Sequence, residues 1–302
     1  MKSNKDNIKI LVPVPLTPDF TVALSQALQF EKAYRTEIIL MHVVPDHKLS
    51  NRIKSSNKLR KSNYEASFNL RCLATNFFKD EIPDNVSLKI VNGPLIPTIL
   101  KEASDTKCDL IIIKKSEKTK GYLNIFRSEN ADKLISEAVR PVITIPGNDT
   151  DGKIKDILLP VDIFKKTTTK VAWAISLAKK FNARLHVVSV LNIDIKPEES
   201  MAYKKCKQIE NEIRKEGVEV DTAMLRSDKK SMADMVLDYS AKIRSDLIII
   251  MTRQETALIN NYLGSFATDI IHRSKVPVFS VVPGKESVLG GFFSTISTSA
   301  NK

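Results

Sequence analysis

The side chains able to do chemistry are few and scattered along this chain. Four histidines, His42, His47, His186 and His272, stand far apart and form no metal-ligand spacing, so each reads as a packing or surface residue. Cys72, Cys108 and Cys206 are odd in number and widely separated, as expected of reduced thiols in a cytoplasmic protein. The sequence carries no Gly-x-Ser-x-Gly elbow, no Walker loop and no His-Glu-x-x-His helix. It therefore assigns no catalytic residue and no metal site, and a non-catalytic protein is the expectation. The polar residues at element ends have ordinary structural readings. Asp162, at the end of an apolar run, reads first as a cap for the segment that follows. Ser265 reads first as a helix N-cap, Gly264 as the turn before it, and Gly93, before Pro94, as a turn.

The elements that would position such residues occur twice. Ile10-Leu11-Val12-Pro13-Val14 reappears as Ile157-Leu158-Leu159-Pro160-Val161, and Asp109-Leu110-Ile111-Ile112-Ile113 as Asp246-Leu247-Ile248-Ile249-Ile250. Arg140-Pro141-Val142-Ile143-Thr144-Ile145 has its partner in Val276-Pro277-Val278-Phe279-Ser280-Val281. Three matched apolar strands in the same order indicate a duplicated domain. Between them, β-branched runs alternate with amphipathic stretches at helical spacing, as Val171, Ile175 and Ala178 show. Strands such as Leu110 to Ile113, apolar throughout, are buried on both faces. The predicted fold is α/β: two repeated open parallel five-stranded sheets, each covered by helices on both faces. The predicted division is 1–147 and 153–284, with a flexible tail at 285–302 that includes Phe292 and Phe293.

The copies are not equal in length. Ile157 follows Ile10 by 147 residues, but Asp246 follows Asp109 by only 137, so the first copy carries about ten extra residues after its second strand. This is the basic insertion at 46–62, with Lys48, Arg52, Lys54, Lys58, Arg60 and Lys61, expected as a surface loop or a longer helix start. The chain of 302 residues has a net charge of +12. It shows no helix-turn-helix, zinc-finger or aromatic-basic RNA pattern, so no specific nucleic-acid partner is expected beyond weak attraction to polyanions at low salt. No stretch approaches the roughly 18 apolar residues of a membrane span, so no membrane partner is expected and the location predicted is cytoplasmic.

The order of elements resembles that of the universal stress protein family, in tandem form. The resemblance covers nearly the whole chain apart from the tail. It is carried by Ile157-Leu158-Leu159-Pro160-Val161-Asp162, by Leu263-Gly264-Ser265-Phe266-Ala267 and by Arg273-Ser274-Lys275-Val276-Pro277-Val278. ATP-binding members carry a Gly-x2-Gly-x9-Gly-Ser/Thr loop after the fourth strand and an Asp just after the first. Glycines let backbone approach phosphate, and a Gly-Ser pair opening a helix offers free N–H groups to an anion.

Carried over to this sequence, the resemblance implies a candidate adenine-nucleotide site in the second copy, at Asp162, Val190, Arg253, Gly264 and Ser265. Met251 and Gln254 stand where the two leading glycines belong, with side chains expected in the phosphate space, although Arg253 could pair with an anion. In the first copy Pro15 replaces the Asp, Lys114 and Glu117 replace the glycines, and Ser128-Glu129 replaces Gly-Ser. The loops therefore read as degenerate, with no cofactor assigned and ATP or another adenine nucleotide as the candidate ligand of the second copy. Adenylating relatives use Ser-Gly-Gly-x-Asp-Ser loops, which are absent.

The resemblance also implies pairing through the last strands, Val142 to Ile145 with Phe279 to Val282, as an intramolecular pseudo-dimer. The short linker favours that pairing by raising the local concentration. This arrangement is compatible with a homo-oligomer of whole chains and with an as yet unknown protein partner. Three functions follow in order: a stress-response protein acting through protein contacts, a regulator binding ATP or AMP in its second half, and a weak ATPase.

Overall fold

A computed structural model describes residues 6–45, 56–79, 81–115, 127–147, 153–162, 167–191, 201–226, 230–252 and 263–282. The linker 148–152, the tail 283–302, His47, Glu117, Arg253, Gln254 and the first part of the basic insertion lie outside the described residues. In the first half the order is β1 (Asn7–Pro13), α1 (Phe20–Gln29), β2 (Arg35–Pro45), α2 (Ser56–Phe78), β3 (Val86–Gly93), α3 (Leu95–Asp105), β4 (Leu110–Lys114), α4 (Ser128–Glu137) and β5 (Val142–Ile145). The second half repeats it with β6 (Asp156–Pro160), α5 (Thr168–Phe181), β7 (Arg184–Leu191), α6 (Met201–Lys215), β8 (Val220–Arg226), α7 (Met232–Ile243), β9 (Leu247–Met251), α8 (Ser265–Arg273) and β10 (Val278–Val281).

The two expected five-stranded sheets join edge to edge through their last strands, the pairing that the resemblance implies. The strands run in the order β3-β2-β1-β4-β5-β10-β9-β6-β7-β8, a ten-stranded sheet. Every neighbouring pair is parallel except at the centre, where β5 and β10 pair antiparallel with Ile143 opposite Phe279. A parallel sheet leaves its last strand with an open edge, and each copy satisfies that edge with the other.

Strand alternation then divides the core between two faces. On one, Ile10, Ile112, Ile143, Leu159, Ile249 and Phe279 pack with α1, α2, α5 and α6. On the other, Leu11, Ile111, Val142, Leu158, Ile248 and Val278 pack with α3, α4, α7 and α8. Both clusters draw on both copies, so neither core stops at the seam. Aromatic contacts close the first face. Trp173 lies 5.3 Å from Phe279 and Phe30 meets Phe181 at 5.2 Å between ring centroids, while Lys180 pairs with Asp6 at 2.5 Å.

Local chemistry explains why the repeats keep particular residues. Asp246 accepts the N–H of Lys155 at 2.7 Å and of Asp156 at 2.9 Å, and Asp109 accepts that of Lys9 at 2.8 Å. The repeated Asp thus clamps the start of the neighbouring strand in each copy. Gly217 ends α6 at φ +76°, which an L side chain rarely adopts. Gly93 has φ +146°, a conformation that L side chains rarely adopt, and a Cβ there would also stand 2.5 Å from Thr98 Oγ1 on α3. The described part of the insertion is helical: α2 has 23 residues against 15 in α6.

One polar cost remains at the seam. The buried hydroxyls of Thr144 and Ser280 have no hydrogen-bond partner among the described residues. Because the cores are continuous, calorimetry of the full chain should give a single unfolding transition. Thr144→Val keeps the shape and removes the unpaired hydroxyl, so it should raise stability by about 1 kcal/mol in a urea titration.

Candidate functional site

In an open parallel sheet, ligands bind at the carboxyl ends of strands where the chain order reverses. That point falls between β1 and β4 in the first half and between β6 and β9 in the second. Helices leave each point towards opposite faces, α1 and α4 in one crevice, α5 and α8 in the other.

The first crevice is bridged. Lys114, at the end of β4, reaches Asp19 at the start of α1, with Nζ 3.2 Å from Oδ1. Pro15 follows β1, and its neighbour Val14 accepts the Nδ1–H of His42 at 2.8 Å. That bond fixes the proton on Nδ1, while burial, which outweighs the opposing pull of the carbonyl, lowers the pKa from the ordinary 6.5 and favours the neutral ring. Glu129, in the first turn of α4, places a negative charge where the helix dipole would favour an anion.

The second crevice is built differently. Val161, just past β6, donates its N–H to Val188 at 2.8 Å, which leaves half-buried Asp162 at the end of the strand, where it already makes a polar contact. Val190 lies on β7 with its side chain against the α7–α8 face. Thr252 bonds Val281 through its N–H at 3.0 Å and its hydroxyl at 3.2 Å, and accepts the N–H of Gly264 at 3.4 Å. This chain of bonds ties the end of β9 to the start of α8.

At that start the expected cap differs. Gly264, not Ser265, is the N-cap, and no side chain caps the helix. Ser265 is the first helical residue and is exposed. The first helical bond runs from Thr268 N–H to Gly264 O at 3.0 Å. Among the described residues, the N–H groups of Ser265, Phe266 and Ala267 have no acceptor.

Met251 also differs from expectation. Strand alternation puts it on the same face as Leu247 and Ile249, so it packs into the core beside α5 and not towards α8. Its side chain does not fill the space in front of Gly264-Ser265. On the α5 flank, buried Lys170 donates to Pro160 O, placing an ammonium group at the end of β6. Asp162, Val190, Gly264 and Ser265 thus share one crevice rim, whereas Arg253 lies outside the described residues.

The sequence reading missed Lys115. This residue is 8% exposed, and its Nζ donates to His272 O and, at 3.3 Å, to Ile271 O. A cation from the first half therefore caps the carboxyl end of α8 in the second, and His272 meets Asp132 across the same boundary at 2.8 Å. The available signal was the Lys115/Thr252 difference between copies, but only the seam shows where that lysine points.

The geometry defines a class first: a duplicated parallel α/β protein whose two crevices have diverged. Comparison with known proteins agrees. The model of the universal stress protein family matches residues 7–146 and again 153–281. The chain belongs to the universal stress protein family, as a tandem of two of its domains. A universal stress protein of Methanocaldococcus jannaschii is 27% identical over 149 residues, covering 44% of this chain and 84% of that protein. A universal stress protein structure from Archaeoglobus fulgidus aligns over 92% of this chain and 97% of its own, with a TM-score of 0.70 and 19% identity. A Pseudomonas aeruginosa structure described as a putative universal stress protein aligns over 95% and 96%, at a TM-score of 0.59 and 17% identity. Among the described residues no group of three metal-binding side chains forms, and no helix is long and apolar enough to cross a membrane.

Two outcomes follow. His42 has a folded pKa below its unfolded value, so its share of stability is present above about pH 6.5 and lost as pH falls through the folded value. Denaturation at pH 7.5 and 5 should show a smaller acid loss in His42→Gln than in the parent. Lys115→Met leaves two helix-end carbonyls without their cation and should cost about 1–3 kcal/mol by the same measurement.

Proposed function

We propose that the chain is a non-catalytic stress-response protein that acts through protein contacts, its first nucleotide crevice given over to structure. The observation that carries this reading is the Lys114–Asp19 ion pair, which spans the first crevice from β4 to α1 at 3.2 Å. Lys114 also stands where ATP-binding members need glycine. The first half, on this reading, serves as the permanent partner that holds α8 through Lys115. Its site of work is the cytoplasm, and the protein contacts lie outside the seam.

A second reading has its own support: an ATP- or AMP-binding regulator that uses the second crevice alone. The three N–H groups at the start of α8 that have no acceptor among the described residues suit a phosphate, and Met251 packs towards α5 rather than in front of them. Asp162 and Val190 would flank the nucleoside, Gly264 and Ser265 would hold the phosphate, and Arg253 would add a guanidinium.

The test begins with the protein purified without added nucleotide. Small molecules released on denaturation are identified by mass spectrometry and counted against protein. The first reading expects none, and no heat on titrating ATP to about 1 mM, which corresponds to about 4 kcal/mol of binding at most. One adenine nucleotide per chain, lost in Asp162→Ala, establishes the second. ATP turnover that disappears in Ser265→Ala would show that the protein is an enzyme after all.

A further inference from the structure

Duplication supplies an internal control, because a feature present in one copy only is not required by the fold. Helix α2 is such a feature: it is eight residues longer than α6, and its outward face differs in kind. Its inward line, Ala66, Leu70 and Ala74, packs on the sheet. Its opposite line, Lys61, Tyr64, Phe68 and Arg71, follows the i, i+3, i+7, i+10 spacing of one helix stripe. Tyr64 is 74% exposed and Phe68 58%. The remaining exposed large apolar side chains among the described residues lie singly and apart from the rings: Leu59 on the inward line of α2, Val139 before β5, Met201 on α6 and Met232 on α7. Exposed rings grouped on one helix of a water-facing protein mark an interaction surface.

The charges around the rings narrow the partner. Arg60, Lys61 and Arg71 surround them, and among the described residues Arg60 and Arg71 make no ion pair. Lys61 meets only Glu65, at 4.0 Å. A second copy of the same face is disfavoured, because like charges would meet. A nucleic-acid strand is normally seated in a groove or on a platform of rings. Here the rings stand on a convex line about 15 Å long, at 1.5 Å per residue. A bilayer interface needs no complementary groove: it takes rings at headgroup depth and pairs cations with anionic headgroups.

We propose that the outward face of α2 is a peripheral docking surface for anionic lipid, reached through Tyr64 and Phe68 and steered by Arg60, Lys61 and Arg71. Attachment is reversible and lies on the surface. It is compatible with the absence, among the described residues, of any helix able to span a membrane. The sequence-based expectation of no membrane partner rested on that absence of a span, which does not bear on an interfacial helix. Few cations take part, so binding is weak and sensitive to salt.

The experiment is co-sedimentation of the full chain with phosphatidylcholine vesicles, with and without about 30% phosphatidylserine, in low and high salt. Binding is expected to the anionic vesicles only, and to vanish at about 0.5 M salt. Phe68→Ser should weaken it about tenfold. Lys61→Gln and Arg71→Gln should each weaken it about fivefold. Lys204→Gln, which removes the same charge from the exposed face of α6, should leave binding unchanged. All four positions are exposed, and unchanged unfolding midpoints verify that the variants fold.

No sedimentation with anionic vesicles overturns the proposal. So does an equal loss in Lys204→Gln, which would reduce the effect to the net charge of +12. Tighter binding of a single-stranded oligonucleotide of about 20 nucleotides, dependent on Phe68 and Lys61, would reassign the face to nucleic acid.

Discussion

The antiparallel pairing of β5 with β10 is the constraint on which the rest of the molecule depends. Each parallel half ends in a short strand of four residues whose outer edge carries unpaired backbone groups. Joining the two edges satisfies those groups and brings Ile143 against Phe279 at the centre of one core. Because side chains alternate across a strand, the same register that joins the edges also joins both cores. The aromatic group of Phe30, Tyr34 and Phe181 and the Lys180–Asp6 pair then close one face over the seam. Lys115 and the His272–Asp132 pair close the other.

Pairing also explains how the halves could diverge. A domain that serves as a permanent partner is no longer held to its own ligand chemistry, provided its edge strand and core survive. The first half has kept both and has used its loop positions otherwise. Lys114 bridges the crevice, and Lys115 crosses to the helix whose other end opens the second crevice. The coupling is one-way, since Thr252, the counterpart of Lys115, bonds back to its own neighbour Val281. Helix α8 therefore has its carboxyl end held by one half and its amino end at the crevice of the other.

Much of the fold was legible before any coordinates. The fourth strands, Leu110–Lys114 and Leu247–Met251, read as buried because a strand covered on both faces has no polar alternation to show. The cap of α8 was misread: Ser265 is the better capping type, but the chain enters the helix one residue earlier, at Gly264. The direction of Met251 was misjudged because the resemblance places that position by its loop motif, whereas strand alternation turns the side chain to the α5 face.

Sequence by itself determined the duplication, the order of elements and the parallel sheet. Those are properties of apolar periodicity, turn chemistry and residue type, all of which act over a few neighbours. Tertiary structure alone decided the antiparallel register of the seam, that Lys114 bridges the first crevice while Met251 turns to the α5 face, and that Lys115 belongs to the other half. Each of these turns on contacts between residues far apart in the chain. Lys115 and Ile271 are 156 positions apart, and only packing across the seam sets their distance.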